Sequence, residues 1–268
     1  MTTLRLASSV ILARPATPGF DVFMLRRNAR SAFAPSAYVF PGGTVDASDA
    51  SGESVARTLG LDPPRVASQF RARIPDALPS TEVPVGARMA PALFVAALRE
   101  LFEEAGVLLA RGPDGGSLVP DPAEDLAEAR EALRAGRISF AEMLAARGWY
   151  ADAGALTLFS HWITPANEPR RYNTHFFVAI AGAGHSPVAD ADETHDGVWI
   201  APSRALEAHR EGSFHLVYPT VKHLERLTEV ASIDALREFA ASKPIVTIEP
   251  TCSPEEGFTM PPELDRAW

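Results

Sequence analysis

Arg99-Glu100-Leu101-Phe102-Glu103-Glu104-Ala105-Gly106-Val107 is the stretch around which the chain is organised, with Phe40-Pro41-Gly42-Gly43 as its upstream companion. Read as a helix, it sets Glu100, Glu103 and Glu104 at i, i+3 and i+4, so three carboxylates share one face. Arg99 lies four residues before Glu103, in position to pair with it and hold it. Phe94, Leu98 and Leu101, with Ala97 and Ala105, form an apolar stripe elsewhere on the same helix. Gly106 is placed to end the helix in the left-handed conformation.

Three like charges on one face repel each other and do not stabilise a helix. A hard dication between them removes the conflict, because Mg²⁺ takes oxygen ligands and keeps positions open for substrate phosphates. The bland alternative is a solvated acidic face with Arg99 as a surface partner, which is what most Glu-Glu pairs mean. Here the arginine, the spacing, the closing glycine and the upstream Pro-Gly-Gly occur together, and the combination favours the metal.

The combination resembles the signature of the Nudix hydrolase family: Gly, five residues, Glu, seven residues, then Arg-Glu-apolar-x-Glu-Glu-x-Gly-apolar. Arg99 to Val107 match the second half in full, and Gly43 matches the opening glycine. Residues 44–90 intervene as a long insertion. Counting back from Arg99, the position of the signature's first glutamate is Pro91, which suits the first turn of a helix but supplies no carboxylate. Asp46, Asp49, Glu53 and Glu82 are acidic residues of the insertion that could return to the site, and the sequence does not choose among them.

The resemblance implies an α+β fold, an α/β/α sandwich with a mixed β-sheet between helices. A single domain over residues 1–268 is expected, with a helical insertion at 44–90 and, read from the residues themselves, extra helices at 122–147. The resemblance also implies that the Gly43 carbonyl and Glu100, Glu103 and Glu104 bind Mg²⁺ or Mn²⁺, with Arg99 orienting Glu103. The proton acceptor is Glu100 within the signature or an acidic residue of the loop before Trp199, where Glu193 is the nearest match and Asp192 the second. An insertion between the glycine and the helix must sit beside the site, where it shapes substrate access or decorates the surface.

Trp162-Ile163-Thr164-Pro165, a polar loop, Arg171-Tyr172-Asn173-Thr174 and Phe176-Phe177 look like a stretch shared by the Nudix branch that includes peroxisomal coenzyme A diphosphatases. That branch also carries a long insertion within its signature. The implied substrate is a small nucleotide-containing molecule, coenzyme A or acyl-coenzyme A, split to 3′,5′-ADP and a phosphopantetheine product. Two rivals stay open: the same chemistry on nucleotide sugars, dinucleotides or capped RNA ends, and a Nudix-like ligand-binding module without turnover. Arg26 and Arg27, at the end of a predicted strand, and Arg170 and Arg171, in the polar loop, are candidates for phosphate contact. Their alternative is ordinary surface charge.

Composition narrows the field. The 268 residues are 46% hydrophobic, enough for a full core. A formal net charge of −9 argues against a protein that grips long nucleic acid. Cys252 is the single cysteine, so neither an internal disulfide nor a cysteine metal cluster is available. No apolar run has the length of a membrane span, and the start of the chain lacks a signal-peptide pattern. A cytoplasmic enzyme is the expectation, with a homodimer implied by family habit.

Along the chain, strands are expected at 4–12, 21–27, 38–40, 107–110, 156–165, 172–180, 197–200 and 245–248, with Pro41-Gly42-Gly43 as a turn. Helices are expected at 54–59 and 64–72 in the insertion, and at 122–134, 139–146, 202–211, 233–240 and from Tyr218 onward. Ser139 with Glu142 three residues on reads as a capping box. The proline-rich tail to Trp268 is expected to wrap the surface or meet a partner chain.

Overall fold

The computed structural model describes residues 3–29, 34–70, 89–118, 126–182, 184–185, 187–188, 194–253, 255, 257–262, 264–265 and 268. Strands β1 (Leu4–Pro15), β2 (Phe20–Arg27), β3 (Tyr38–Val39) and β4 (Gly42–Thr44) open the chain. The insertion follows with α1 (Gly52–Ala56), β5 (Thr58–Leu59) and α2 (Pro63–Phe70). Then come α3 (Met89–Ala105), β6 (Ala110–Arg111), β7 (Ser117–Leu118), α4 (Ala127–Arg134), α5 (Phe140–Ala145) and β8 (Tyr150–Asp152). The last part holds β9 (Thr157–Ile163), β10 (Arg171–Ile180), β11 (Thr194–Ile200), α6 (Pro202–Arg210), α7 (Tyr218–Thr228) and α8 (Ile233–Ser242). Short strands β12 (Thr247–Ile248), β13 (Thr251–Ser253) and β14 (Gly257–Thr259) lie in the tail.

The main sheet runs in the order β11-β2-β1-β10-β9-β12, with β3 paired to β2 and β4 to β1. The β1/β10 and β12/β9 pairs are parallel and the others antiparallel, so the sheet is mixed as expected. Alternation along β1 sends Val10 and Leu12 to a core with α3, α4 and α5, and Ile11 and Ala13 to a core with α6, α7 and α8. The result is the expected three-layer α/β/α arrangement. Among the described residues, no helix is long and apolar enough to cross a membrane.

The described part of the insertion is stitched into the fold. Ser51 caps α1 by accepting from the Ser54 N–H at 3.1 Å. β5 pairs in parallel with β8 in a second sheet, β5-β8-β6-β7, and Arg65 on α2 donates to the carbonyls of Gly60, Ala153 and Leu156. Residues 71–88, with Glu82, lie outside the described residues. Thr58-Leu59, expected as helix, is strand instead. So are Gly42 and Gly43, expected within a Pro41-Gly42-Gly43 turn: with Thr44 they run antiparallel to Ala7–Ser9 of β1. Conversely, Val107-Leu108-Leu109, an apolar run expected as strand, packs into the core without pairing, and only Ala110–Arg111 join a sheet. The capping box at Ser139 and Glu142 is present in both directions.

Three buried histidines give the fold a pH dependence. His223 is enclosed between the Ser160 hydroxyl and the Pro219 carbonyl, each 2.6 Å away. His161 bonds Asn173 and Thr247, and its ring stacks on His175 at 4.1 Å. Burial pushes His223 down to about 3 and holds His161 and His175 below the ordinary histidine range. Unfolding frees these rings to bind protons below about 6.5 while the native state does not, so stability is full above that pH and falls as pH drops toward 3. His223 alone removes about 2 kcal/mol between pH 6.5 and pH 5. The raised carboxylates Glu100 and Glu103 act in the opposite direction, so the test uses a Glu100→Gln, Glu103→Gln background. Urea unfolding of that variant at pH 7.5 and pH 5 is expected to give the lower midpoint at pH 5, and equal midpoints would contradict this reading.

Candidate active site

Helix α3 is buried nearly all round, wedged between the main sheet, the insertion and α4. This argues against one of the two meanings of its acidic face, the solvated one. Glu100 is 9% exposed and Glu104 7%, so these carboxylates are not a solvated surface. Gly106, at φ +67°, ends the helix, and its N–H bonds the Phe102 carbonyl at 2.9 Å. Arg130 on α4 caps the same end, with Nε donating to the Glu103 carbonyl at 2.7 Å.

Arg99 is the hub. Its Nη1 donates to Glu100 Oε1 at 2.8 Å and to Glu103 Oε2 at 3.2 Å. Nε and Nη2 form a bidentate pair with Asp49, both at 2.9 Å, and Nη2 also reaches the Thr44 carbonyl at 3.0 Å. The expected pairing of Arg99 with Glu103 is present, and Arg99 holds Glu100 as well. Of the described candidates Asp46, Asp49 and Glu53, Asp49 is the one locked in: it is 1% exposed and serves the arginine. Asp46 lies 3.8 Å from Arg99 and lines the adjoining cavity.

The electrostatics follow from this crowding. Burial, opposed by Arg99 and assisted by Glu103, lifts Glu100 to about 7, and burial also raises Glu103. Burial works against the Arg99 charge, but Asp49, Glu100 and Glu103 more than compensate and keep it protonated.

The glycines bring backbone into this cluster. A Cβ at Gly43 would lie 2.4 Å from Glu100 Oε1, and one at Gly42 would lie 2.4 Å from the Ser8 carbonyl oxygen. The Gly42 N–H donates to Glu104 Oε2 at 2.7 Å, fixing β4 against α3. Among the described residues, no group of three acidic, histidine or cysteine side chains converges as a ready metal cage. Glu100 and Glu103 point to Arg99 and Glu104 to the glycine turn. The donor set nevertheless fits a hard dication: it is all oxygen, partly desolvated, and carries mutual repulsion that a cation would relieve.

A cavity of about 710 Å³ opens from these carboxylates. Gly43, Arg99, Glu100, Glu103, Glu104 and Arg27 all line it, so the structure brings these predicted residues together. The other predicted arginines are absent from that lining. Arg171 is committed to Glu249 at 3.0 Å and to the Thr164 and Pro165 carbonyls, and it straps its own loop. Arg26 lies 4.0 Å from Asp196, and Arg170 is exposed. Glu193 and Asp192 lie outside the described residues. Sequence reasoning missed the tail: Pro250 and Phe258 line the cavity and Trp268 is buried against Trp162. The spaced apolar residues Phe258, Met260, Leu264 and Trp268 were the available signal.

A carboxylate-bearing helix clamped by arginine against a glycine strand, within a three-layer sandwich, defines a class: the chain belongs to the Nudix hydrolase family, whose members act on pyrophosphate bonds. Within it, residues 1–227 match the family model of the NUDT19 Nudix domain. The acyl-coenzyme A diphosphatase NUDT19 of Gallus gallus is 30% identical over 273 residues, covering 89% of this chain and 72% of that protein. Its Homo sapiens counterpart is 30% identical over 277 residues, covering 91% and 74%. The crystal structure of a Nudix hydrolase from Alicyclobacillus acidocaldarius superposes with a TM-score of 0.68 at 28% identity, covering 92% of this chain and 99% of that one.

Proposed function

We propose that this chain hydrolyses coenzyme A or acyl-coenzyme A to 3′,5′-ADP and a phosphopantetheine product, with Mg²⁺ or Mn²⁺ as cofactor. The observation that carries the proposal is the buried, arginine-held carboxylate cluster at the mouth of a large cavity, in a chain similar to proteins named acyl-coenzyme A diphosphatase. Glu100, Glu103, Glu104 and the Gly43 carbonyl would hold the metal, which when bound neutralises pyrophosphate oxygens and acidifies water. Arg99 orients Glu100 and Glu103 and does no chemistry itself. Arg27, on the cavity wall, is placed to meet a substrate phosphate.

Two carboxylates compete to take the proton from the attacking water. Glu100 lines the cavity beside Glu103 and Glu104; its raised pKa belongs to the metal-free cluster and would fall once a cation is bound. Glu193 belongs to a loop whose described flanks are tied to both sides of the site. The Val188 N–H bonds the Ala105 carbonyl at 2.9 Å at the end of α3, and Thr194 pairs with Arg27. Pro91, within the first turn of α3, leaves the signature's first carboxylate unreplaced among the α3 side chains. The same proposal places the enzyme in the cytoplasm, in keeping with its single cysteine, as a homodimer by family analogy.

Product analysis with Mg²⁺ or Mn²⁺ tests this against coenzyme A, acyl-coenzyme A, NADH, ADP-ribose and diadenosine polyphosphates. Release of 3′,5′-ADP with kcat/KM at least about tenfold above the other substrates is expected, a margin of about 1.4 kcal/mol. Preference for another dinucleotide would keep the chemistry and remove the coenzyme A assignment.

A further inference from the structure

We propose that the end of the cavity walled by Trp162, Tyr218 and Phe258 is a subsite for the acyl chain of an acyl-coenzyme A. The inference rests on the coenzyme A reading above and adds the direction in which the substrate lies.

The sheet order sets that direction. Arg27 sits on β2, the carboxylates face β4 beside β1, Trp162 is on β9, and Pro250 follows β12. From β2 to β12 there are four strand spacings, roughly 19 Å, so the cavity has two distinct ends. A volume of about 710 Å³ exceeds what a pyrophosphate fills.

Charge separates the two ends. Among the described residues, the cations lining the cavity are Arg27 and Arg99, one on β2 and the other on α3 beside β4. The far end is lined by Ile163, Val217, Pro219 and Pro250 together with the aromatic rings, and the charged group there is Glu168. A carboxylate beside an apolar wall repels a nucleotide phosphate and tolerates a hydrocarbon. The nucleotide therefore lies toward Arg27, and the pantetheine arm with its acyl group runs toward β9 and β12.

The apolar wall is built rather than loose. The Tyr218 and Phe258 rings stack at 5.8 Å, and the Tyr218 hydroxyl is hydrogen-bonded to the Met260 backbone. Asn167 Nδ2 donates to the Cys252 carbonyl at 2.9 Å, tying the β9–β10 loop to the β13–β14 hairpin. Phe258 is 39% exposed, one of two large apolar side chains left in water among the described residues. A hydrocarbon chain would cover it and gain the burial that the fold leaves unused. Pro250 and Phe258 lie beyond residues 1–227, so this part of the wall is supplied by chain outside the matched family domain.

The test is calorimetric titration of coenzyme A and decanoyl-coenzyme A in EDTA, where binding is read without turnover. The full chain is expected to bind decanoyl-coenzyme A at least about tenfold more tightly. Phe258→Ser should collapse that ratio to about twofold or less, and Phe258→Leu, which restores apolar surface, should recover most of it. Equal affinities in the unmodified chain, no measurable decanoyl-coenzyme A binding, or a ratio unmoved by Phe258→Ser would each overturn the subsite. Coenzyme A cleavage without the affinity increment would overturn the subsite alone; the increment without cleavage would overturn the hydrolytic reading alone.

Discussion

Replacing Glu103 by glutamine is expected to lower turnover about 10³-fold, the rate equivalent of losing several kcal/mol of transition-state stabilisation. Glutamine keeps the side chain's size and an oxygen for Arg99 Nη1, which lies 3.2 Å from Glu103 Oε2, so the clamp retains its shape. What disappears is the negative charge offered to the metal. Burial already raises the Glu103 pKa, and the protein keeps this carboxylate partly buried, where solvent stabilises it less than at the surface. A residue retained only for packing would be better as glutamine, so thermal stability should hold or rise while activity collapses. Circular dichroism melts beside product-release rates check both halves. Unchanged turnover would remove Glu103 from the metal set; the absence of turnover in the unmodified chain would favour the ligand-binding module, for which the loss of the carboxylate at Pro91 is the sequence argument.

Legibility tracked how local each signal was. The helix, its arginine at i−4 and its closing Gly106 are short-range patterns, and the structure contains all three. The family resemblance implies the Gly43 carbonyl as a metal ligand; the packing of Gly43 against Glu100 is visible only in the fold, where the missing Cβ shows why a side chain cannot stand there. The near-complete burial of α3 was less visible, because its apolar stripe reads as one face until the insertion and α4 cover the others. Pro41-Gly42-Gly43 looked like a turn because glycine signals backbone freedom, while the pairing of Gly42 and Gly43 with β1 is a contact across more than thirty residues. Arg171 was a reasonable phosphate ligand by composition, and only the fold brings Glu249 to neutralise it. A proline-rich tail is expected to wrap the surface or meet a partner chain, and only the fold shows Pro250 and Phe258 lining one end of the cavity.

Asp49→Ala is expected to destabilise the protein by about 3–5 kcal/mol, the range for removing one partner of a buried ion pair. Asp49 is 1% exposed and Arg99 5%, and two hydrogen bonds of 2.9 Å join them. Without Asp49 the guanidinium stays buried, protonated and short of its bidentate partner, which is worse than having no pair at all. For a chain of this size the melting temperature should drop by roughly 10 °C. Catalysis should fall too, about 10²-fold, because Arg99 also aims Glu100 and Glu103, and small misplacements of reacting groups cost that much. A double substitution with Arg99→Met should recover part of the lost stability and none of the activity, separating the buried-charge penalty from the positioning role. A melting temperature within 2 °C of the parent, to a precision of roughly half a kcal/mol, would show that the pair braces nothing. The physical point is that the insertion pays for its own placement: it interrupts the signature between Gly43 and α3, and returns Asp49 to hold the arginine on which the signature's carboxylates depend.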